Sequence, residues 1–183
     1  MIDPKGEIAR VRASATRVYT RAQVDAAFDR LATEINAAIG DAEPLLVAVL
    51  VGGMYPALQI ASRLPFPHQL DCLHATRYQG QLAGGELQWR APPLLSFAGR
   101  VVLVVDDILD EGHTLAAVME ECGRLGASRV LSAVLLRKLH GRPVTGHADF
   151  CGLDVGNQYV FGCGMDYKGY FRGLREIYAV ATS

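Results

Sequence analysis

Apolar positions along this chain fall into two alternating patterns. From residue 21 to 39, Val24, Ala27, Phe28, Leu31, Ile35 and Ile39 recur at steps of three and four, which predicts an amphipathic helix ended by Gly40. Residues 45–51 form an unbroken apolar run that predicts a buried strand; Gly52 and Gly53 break it, and a short helix with Pro56 in its first turn is expected over 54–64. A further strand is expected over 70–75. The run Val101-Val102-Leu103-Val104-Val105 predicts another, four of its five residues being β-branched. Such runs suit a parallel sheet covered on both faces. A helix over 114–125, stopped by Gly126, and a strand over 129–136 complete the alternation. The pattern predicts a three-layer α/β domain with its core at about 21–138. Residues 1–20 read as an irregular arm, and 139–183, rich in glycine and aromatics, as a small subdomain of short strands and loops beside the strand ends.

Residues 77–90 carry Gly84-Gly85, a hairpin-tip signal. Two readings of this ribbon stay open: a surface hairpin, or a lid over a site.

Composition changes this picture little. With 183 residues, half of them apolar, the chain is most simply one domain over 1–183. A net charge of −1 argues against a strongly basic nucleic-acid binder and gives no reason to expect a membrane surface. No apolar run approaches the roughly 20 residues of a spanning helix, and residues 1–6 lack a signal peptide's regions. A soluble, cytoplasmic protein is expected. Cys72, Cys122, Cys151 and Cys163 show no paired spacing and read as reduced packing residues, with Cys163 nearest the candidate site. His140, His147 and Cys151 fit no standard metal spacing and read as loop residues.

The candidate chemistry lies where the 101–105 run meets Asp106 and Asp107, followed by Asp110, Gly112 and Thr114 at a helix start. Adjacent acids at a strand end can be mere solvated loop residues. At the carboxyl end of a central strand, though, they stand where open α/β sheets bind ligands. Carboxylates accept from sugar hydroxyls, while backbone amides at a helix N-terminus hold a phosphate. Neither a Gly-x-x-x-x-Gly-Lys-Ser/Thr nor a Gly-x-Gly-x-x-Gly loop occurs anywhere.

The stretch Val-Val-Leu-Val-Val-Asp-Asp-Ile-Leu-Asp-Glu-Gly-His-Thr-Leu (101–115) resembles the 5-phosphoribosyl-1-diphosphate (PRPP) binding signature of type I phosphoribosyltransferases. Residues 50–53 fall at that family's first, pyrophosphate-contacting loop, and 77–90, with Arg77 and Tyr78, at its mobile catalytic loop, Tyr78 being its working residue. The segments 135–138 and 159–172 are similar to the hypoxanthine-guanine branch. The resemblance covers roughly 45–180 and implies a parallel-sheet fold with a C-terminal hood, which the N-terminal arm could join.

It also implies roles. Asp106, Asp107 and Asp110 would be the catalytic acids. Asp106 and Asp107 would face the ribose hydroxyls directly or through Mg2+. Asp110, Glu111, Gly112, His113 and Thr114 would cradle the 5-phosphate, with Asp110 near purine N7. Val51 and Gly52 would meet the pyrophosphate by their backbone, and Arg172 would reach it too. Lys138 would donate to the oxygen at purine C6, Tyr159 would stack on the base, and Val160 would bond its edge by backbone. Asp166 would help hold a second magnesium beside the base. The implied partners are PRPP and a 6-oxopurine, in a homo-dimer or homo-tetramer, with no nucleic acid and no membrane.

Two residues depart from the family pattern. Val51 stands where a basic or polar residue is frequent. Glu111 stands where Ser or Thr is frequent, so its carboxylate is expected to point away from the phosphate, with His113 able to offset its charge if protonated. Each role has a plainer rival. Lys138 could be a solvated strand-end charge, Tyr159 a core residue, and Arg172 the ion-pair partner of Asp166 or Glu176. At the level of function the rivals are a xanthine-preferring relative and a PRPP-binding regulator of the same fold.

Overall fold

The two longest apolar runs lie side by side at the centre of one sheet. The computed structural model describes residues 4–77 and 87–181. The chain runs α1 (Pro4–Ser14), β1 (Thr16–Tyr19), α2 (Arg21–Ile39), β2 (Leu45–Val49), α3 (Met54–Ala61), β3 (Gln69–Arg77), β4 (Leu87–Ala91), β5 (Val101–Leu109), α4 (His113–Arg124), β6 (Arg129–Lys138), β7 (Phe150–Val155), β8 (Val160–Phe161) and β9 (Ile177–Ala179). The main sheet has the order β4-β3-β2-β5-β6-β7. Its strands are parallel except β4, which pairs antiparallel with β3. The arms of the expected hairpin are therefore present, while Tyr78 and the Gly84-Gly85 tip lie outside the described residues.

Alternation along each buried strand separates two cores, because successive side chains point to opposite faces. Leu46, Ala48, Leu103 and Val105 pack with Phe28, Leu31 and Ile35 of α2 and Ala57 and Ile60 of α3. Leu45, Val47, Val102 and Val104 pack with Leu115, Val118 and Cys122 of α4. This is the three-layer α/β arrangement that the periodicity predicts. Helix α2 starts on a capping box: Thr20 Oγ1 accepts from the Gln23 amide and Gln23 Oε1 from the Thr20 amide. Among the described residues, no helix is long and apolar enough to cross a membrane.

Three features differ from the expectation. First, β5 does not stop at Val105 but runs through both acids to Leu109. Its pairing with β2 ends at Ala48–Val105, whereas pairing with β6 continues through Asp106–Val134 and Ile108–Leu136 to Leu109–Arg137. Polar residues can end an apolar run without ending a strand when one neighbour goes on supplying hydrogen bonds.

Second, the tail contributes β7 as a sixth strand of the main sheet, so parallel pairing continues past residue 138. Its sequence, Phe150-Cys151-Gly152-Leu153-Asp154-Val155, has the mixed character of an edge strand, not of a buried run.

Third, the described part of the N-terminal arm, residues 4–20, is not irregular. Helix α1 has no apolar stripe to announce it and is fixed by polar and cationic contacts instead. Glu7 accepts from the Tyr167 hydroxyl at 2.8 Å and from Lys168 at 2.6 Å, and Arg12 lies 4.1 Å over the Tyr178 ring. Strand β1 joins β9 and β8 in a three-stranded antiparallel sheet. The Tyr19 hydroxyl donates to the Asp154 carbonyl, tying that small sheet to β7.

Phe28 is fully buried between α2 and the sheet, with the Tyr55 ring 6.2 Å away. Phe28→Ala is expected to cost about 3–5 kcal/mol. Urea unfolding measures it, and an unchanged midpoint would contradict this account of the core.

Candidate active site

The overrun of β5 past β2 sets up the site. Beyond Val105, one edge of β5 faces the 50–53 loop instead of a strand, and the acids stand in that gap. Asp107 is buried, and its backbone amide donates to Asp106 Oδ1 at 2.9 Å. Gly52 lies so close to Asp107 that a Cβ there would overlap the carboxylate. Gly164 closes the other side, its own Cβ position overlapping the Gly52 carbonyl and lying 3.0 Å from Asp107 Cβ. Three segments far apart in sequence thus converge through two glycines. The Leu50–Val51 peptide in this loop is cis, and the Val51 side chain is about half exposed.

Both carboxyls are perturbed. Burial pushes Asp106 well above the usual carboxylate range, and the Asp107 charge adds to it. Burial also raises Asp107, against the opposing effects of its hydrogen bond with Asp106 and the Arg172 charge. Arg172 Nη1 lies 3.7 Å from Asp107 Oδ2 and donates to the Gly164 carbonyl at 2.6 Å, while Nη2 meets Asp166 Oδ1 at 2.5 Å. Asp166 Oδ2 accepts from the Gly169 amide at 2.6 Å. Glu176 pairs with Arg17 at 3.0 Å. Among the described residues no group of three His, Cys, Asp or Glu side chains converges on one point.

The turn after β5 leads into α4. Gly112 has φ +78°, a left-handed conformation that glycine adopts without strain, and a Cβ there would lie 2.7 Å from the Gly146 nitrogen. No side chain caps α4 at Gly112, and Thr114 is exposed in its first turn. The arrangement suits an anion at the helix start.

Around Asp110 the structure assembles more than the sequence suggested. Lys138 Nζ lies 2.8 Å from Oδ2, and Arg142 Nη2 2.7 Å from Oδ1. Pairing of Leu109 with Arg137 brings Lys138 alongside Asp110, and its side chain is largely buried, so it is not a solvated strand-end charge. His140 lies in the loop after β6, as expected, yet its side chain is only 2% exposed, with Nε2 2.9 Å from Asp110 Oδ1 but without hydrogen-bond alignment. The Arg142 amide donates to His140 Nδ1 at 3.2 Å. Burial pushes Asp110 up, yet the Lys138 hydrogen bond and the Lys138, Arg142 and His140 charges outweigh it and hold the carboxyl below its usual range. Sequence reading missed His140 and Arg142. The one available signal was their two-residue spacing from Lys138, which continues the strand period past the strand end.

The other expected residues are dispersed around this centre. Tyr159 is 54% exposed, with the Tyr167 ring edge-on at 5.7 Å, so it is not a core residue. Val160 is buried in β8 and pairs with Ala179. His113 Nδ1 meets Thr145 Oγ1 at 2.7 Å, and His113 Nε2 lies 3.6 Å from Glu111. Arg77 ends β3, opposite Leu87. Cys163 is buried, its thiol pushed up to about 12 by burial, and so is Cys122; Cys72 is exposed and so is not the packing residue expected. A cleft lined by Gln69, Arg100 and Val101 lies at the amino ends of β3 and β5, opposite the acids.

Comparison with known proteins agrees with this fold. A family profile described as phosphoribosyl transferase domain matches residues 14–168. The hypoxanthine-guanine phosphoribosyltransferase of Streptococcus thermophilus is 31% identical over 132 residues, 72% of this chain and 73% of the relative. The bifunctional protein TilS/HprT of Listeria innocua is 32% identical over 148 residues, 80% of this chain; the match spans 23% of that much longer relative. The crystal structure of a hypoxanthine phosphoribosyltransferase from Staphylococcus aureus superposes with a TM-score of 0.86 at 21% identity, covering 93% of this chain and 94% of that one.

The raised Asp106 carboxyl has a sign that can be tested. A carboxyl whose folded value lies above its unfolded value destabilises the fold once pH rises past the unfolded value, near 4, and the loss is complete above the folded one. At neutral pH, Asp106→Asn is therefore expected to stabilise the ligand-free protein, on the order of 1 kcal/mol or more. Thermal unfolding at pH 5 and pH 8 measures it. Greater destabilisation at pH 8 than at pH 5 would contradict the assignment.

Proposed function

This chain belongs to the phosphoribosyl transferase domain family, and we propose that it salvages purines, transferring the 5-phosphoribosyl group of PRPP to hypoxanthine or guanine with release of pyrophosphate. The observation that carries the choice of base is the Asp110–Lys138 pair at 2.8 Å, beside the uncapped Gly112 turn. It sets a cationic donor and a proton acceptor side by side, next to a place for a sugar phosphate.

In this reading the amides from Asp110 to Thr114 and the Thr114 hydroxyl take the 5-phosphate, and Asp106 and Asp107 face the ribose hydroxyls. Val51 and Gly52 offer backbone groups to the pyrophosphate, and Arg172 turns from Asp166 towards it. The base stacks on Tyr159, with its edge against the Val160 backbone. Arg77 and Tyr78 belong to the segment that closes over the ligands and excludes water from the oxocarbenium-like sugar.

The chemistry at the base follows from the cluster around Asp110. A 6-oxopurine offers Lys138 a carbonyl acceptor. Once Lys138 turns to it, Asp110 loses the hydrogen bond that depresses its proton affinity and becomes a better base for the N7 proton. Adenine presents an amino donor at the same place, donor against donor, and is rejected.

The paired acids fit a divalent cation. Burial raises both carboxyls above their usual range, and a bound cation would offset the cost of their charges. Asp106 and Asp107 would hold one magnesium and Asp166 a second, and bound Mg2+ would neutralise charge on the departing pyrophosphate. Among the described residues no third side-chain ligand converges there, so the remaining ligands would come from PRPP and water. The four free cysteines accord with a cytoplasmic setting, and we expect a homo-dimer or homo-tetramer that contacts neither nucleic acid nor membrane.

Absorbance assays with PRPP, magnesium and each purine test the reading. Turnover with hypoxanthine or guanine, and none with adenine, is expected. No turnover with either 6-oxopurine would sink it, turnover with xanthine alone would favour a xanthine-preferring enzyme, and PRPP binding without turnover a regulator. Asp110→Asn is expected to lower kcat by about 10²–10⁴-fold while leaving the KM for PRPP within about threefold. An unchanged kcat would remove Asp110 from the chemistry.

A further inference from the structure

Glu111 puts a carboxylate into a turn whose amides are assigned to a phosphate. Residues 140–146 lie against this same turn. Arg142 Nη1 meets Glu111 Oε1 at 2.8 Å while Nη2 meets Asp110 Oδ1 at 2.7 Å, so a single guanidinium spans both acids. Asn157 Oδ1 accepts from the same Nη2 at 3.4 Å. The Thr145 amide donates to the Glu111 carbonyl at 2.8 Å, and the Thr145 hydroxyl meets His113. Gly146 packs against Gly112.

We propose that Arg142 is a positioning residue of the phosphate turn: by pairing with Glu111 it draws that carboxylate aside and cancels its charge, so that the turn can receive the 5-phosphate. The proposal rests on the phosphate assignment above. Among the described residues Glu111 has two ion-pair partners, Arg142 and His113, and only Arg142 is a permanent cation. Arginine keeps its charge at every working pH, whereas His113 counts only when protonated, and its Nδ1 is already engaged with Thr145. Without Arg142, a free carboxylate would stand within one side-chain length of the amides that must hold a dianion, and the two would repel. The planar fork also matters, because one lysine ammonium could not bridge Asp110 and Glu111 in the same way. The same guanidinium keeps the base-side acid and the phosphate-side acid in fixed register.

Calorimetric titration with inosine 5-monophosphate and with inosine isolates the phosphate, because the two ligands differ in nothing else. The ratio of their dissociation constants is expected to fall about tenfold in Arg142→Gln, the size of a close like-charge term near a protein surface. In the double variant Arg142→Gln, Glu111→Gln it is expected to return to within about threefold of the unaltered protein, since the repelling charge is gone. Arg142→Lys should fall between and be rescued the same way, which keeps the test available if Arg142→Gln fails to fold. An unchanged ratio in the single variants would overturn the proposal. So would a loss that removal of the Glu111 charge does not restore, because Arg142 would then be contacting phosphate itself or serving the fold alone. If the unaltered protein does not distinguish the two ligands, the phosphate assignment fails and the proposal with it. That failure shows before any residue is changed, so the two are told apart.

Discussion

Two adjacent carboxylates, Asp106 half-buried and Asp107 buried, are the constraint around which this molecule is arranged. Asp106 and Asp107 sit there because β5 is longer than β2 and carries them beyond the last shared pair, Ala48–Val105. Left alone, such a pair would repel and would resist leaving water. The chain meets that cost with an internal hydrogen bond, with Arg172 nearby, and with two glycines that let backbone approach where a side chain would collide. With both carboxyls raised by burial, their negative charges are unfavourable to the ligand-free fold. A site that destabilises the ligand-free chain is one whose ligand brings the missing charge.

From that pair the site extends in two directions. Towards α4, the backbone turns through Gly112 and leaves the first amides of the helix without a side-chain cap. Towards β6, Asp110 meets Lys138, His140 and Arg142, three residues at two-residue spacing that begin in a strand and continue past its end. The two directions share Asp110 and are joined again by Arg142 through Glu111. In the proposed reading, ribose phosphate and base would be handled by neighbouring groups in electrostatic contact, and a change at Lys138 would be felt at Asp110.

Much of this was legible in the chain. The buried strands showed as unbroken β-branched runs, and α2 showed as a stripe of six apolar residues, because burial is what those patterns record. The carboxylate pair, Gly112 and Lys138 stood out through local chemistry. Helix α1 did not, since it is held by Glu7, Arg12 and distant aromatics and has no apolar face of its own. Strand β7 did not, since an edge strand need not be apolar throughout. His140 is in a loop as its sequence suggests, but nothing local reveals that this loop folds back over Asp110. The strand end was placed too early at Val105, because a change from apolar to acidic residues marks a change of environment, and here pairing with β6 outlasts it.

The central claim is that Asp106 and Asp107 form a place for PRPP together with a divalent cation. The measurement that bears on it most directly is the thermal unfolding midpoint with magnesium alone, PRPP alone and both, for the unaltered protein and for Asp107→Asn. Ligands that bind only the folded state raise the midpoint. The account predicts that magnesium and PRPP together raise it well beyond the sum of their separate effects, and that Asp107→Asn loses this synergy. Equal stabilisation by PRPP with and without the cation, or full synergy in Asp107→Asn, would contradict it.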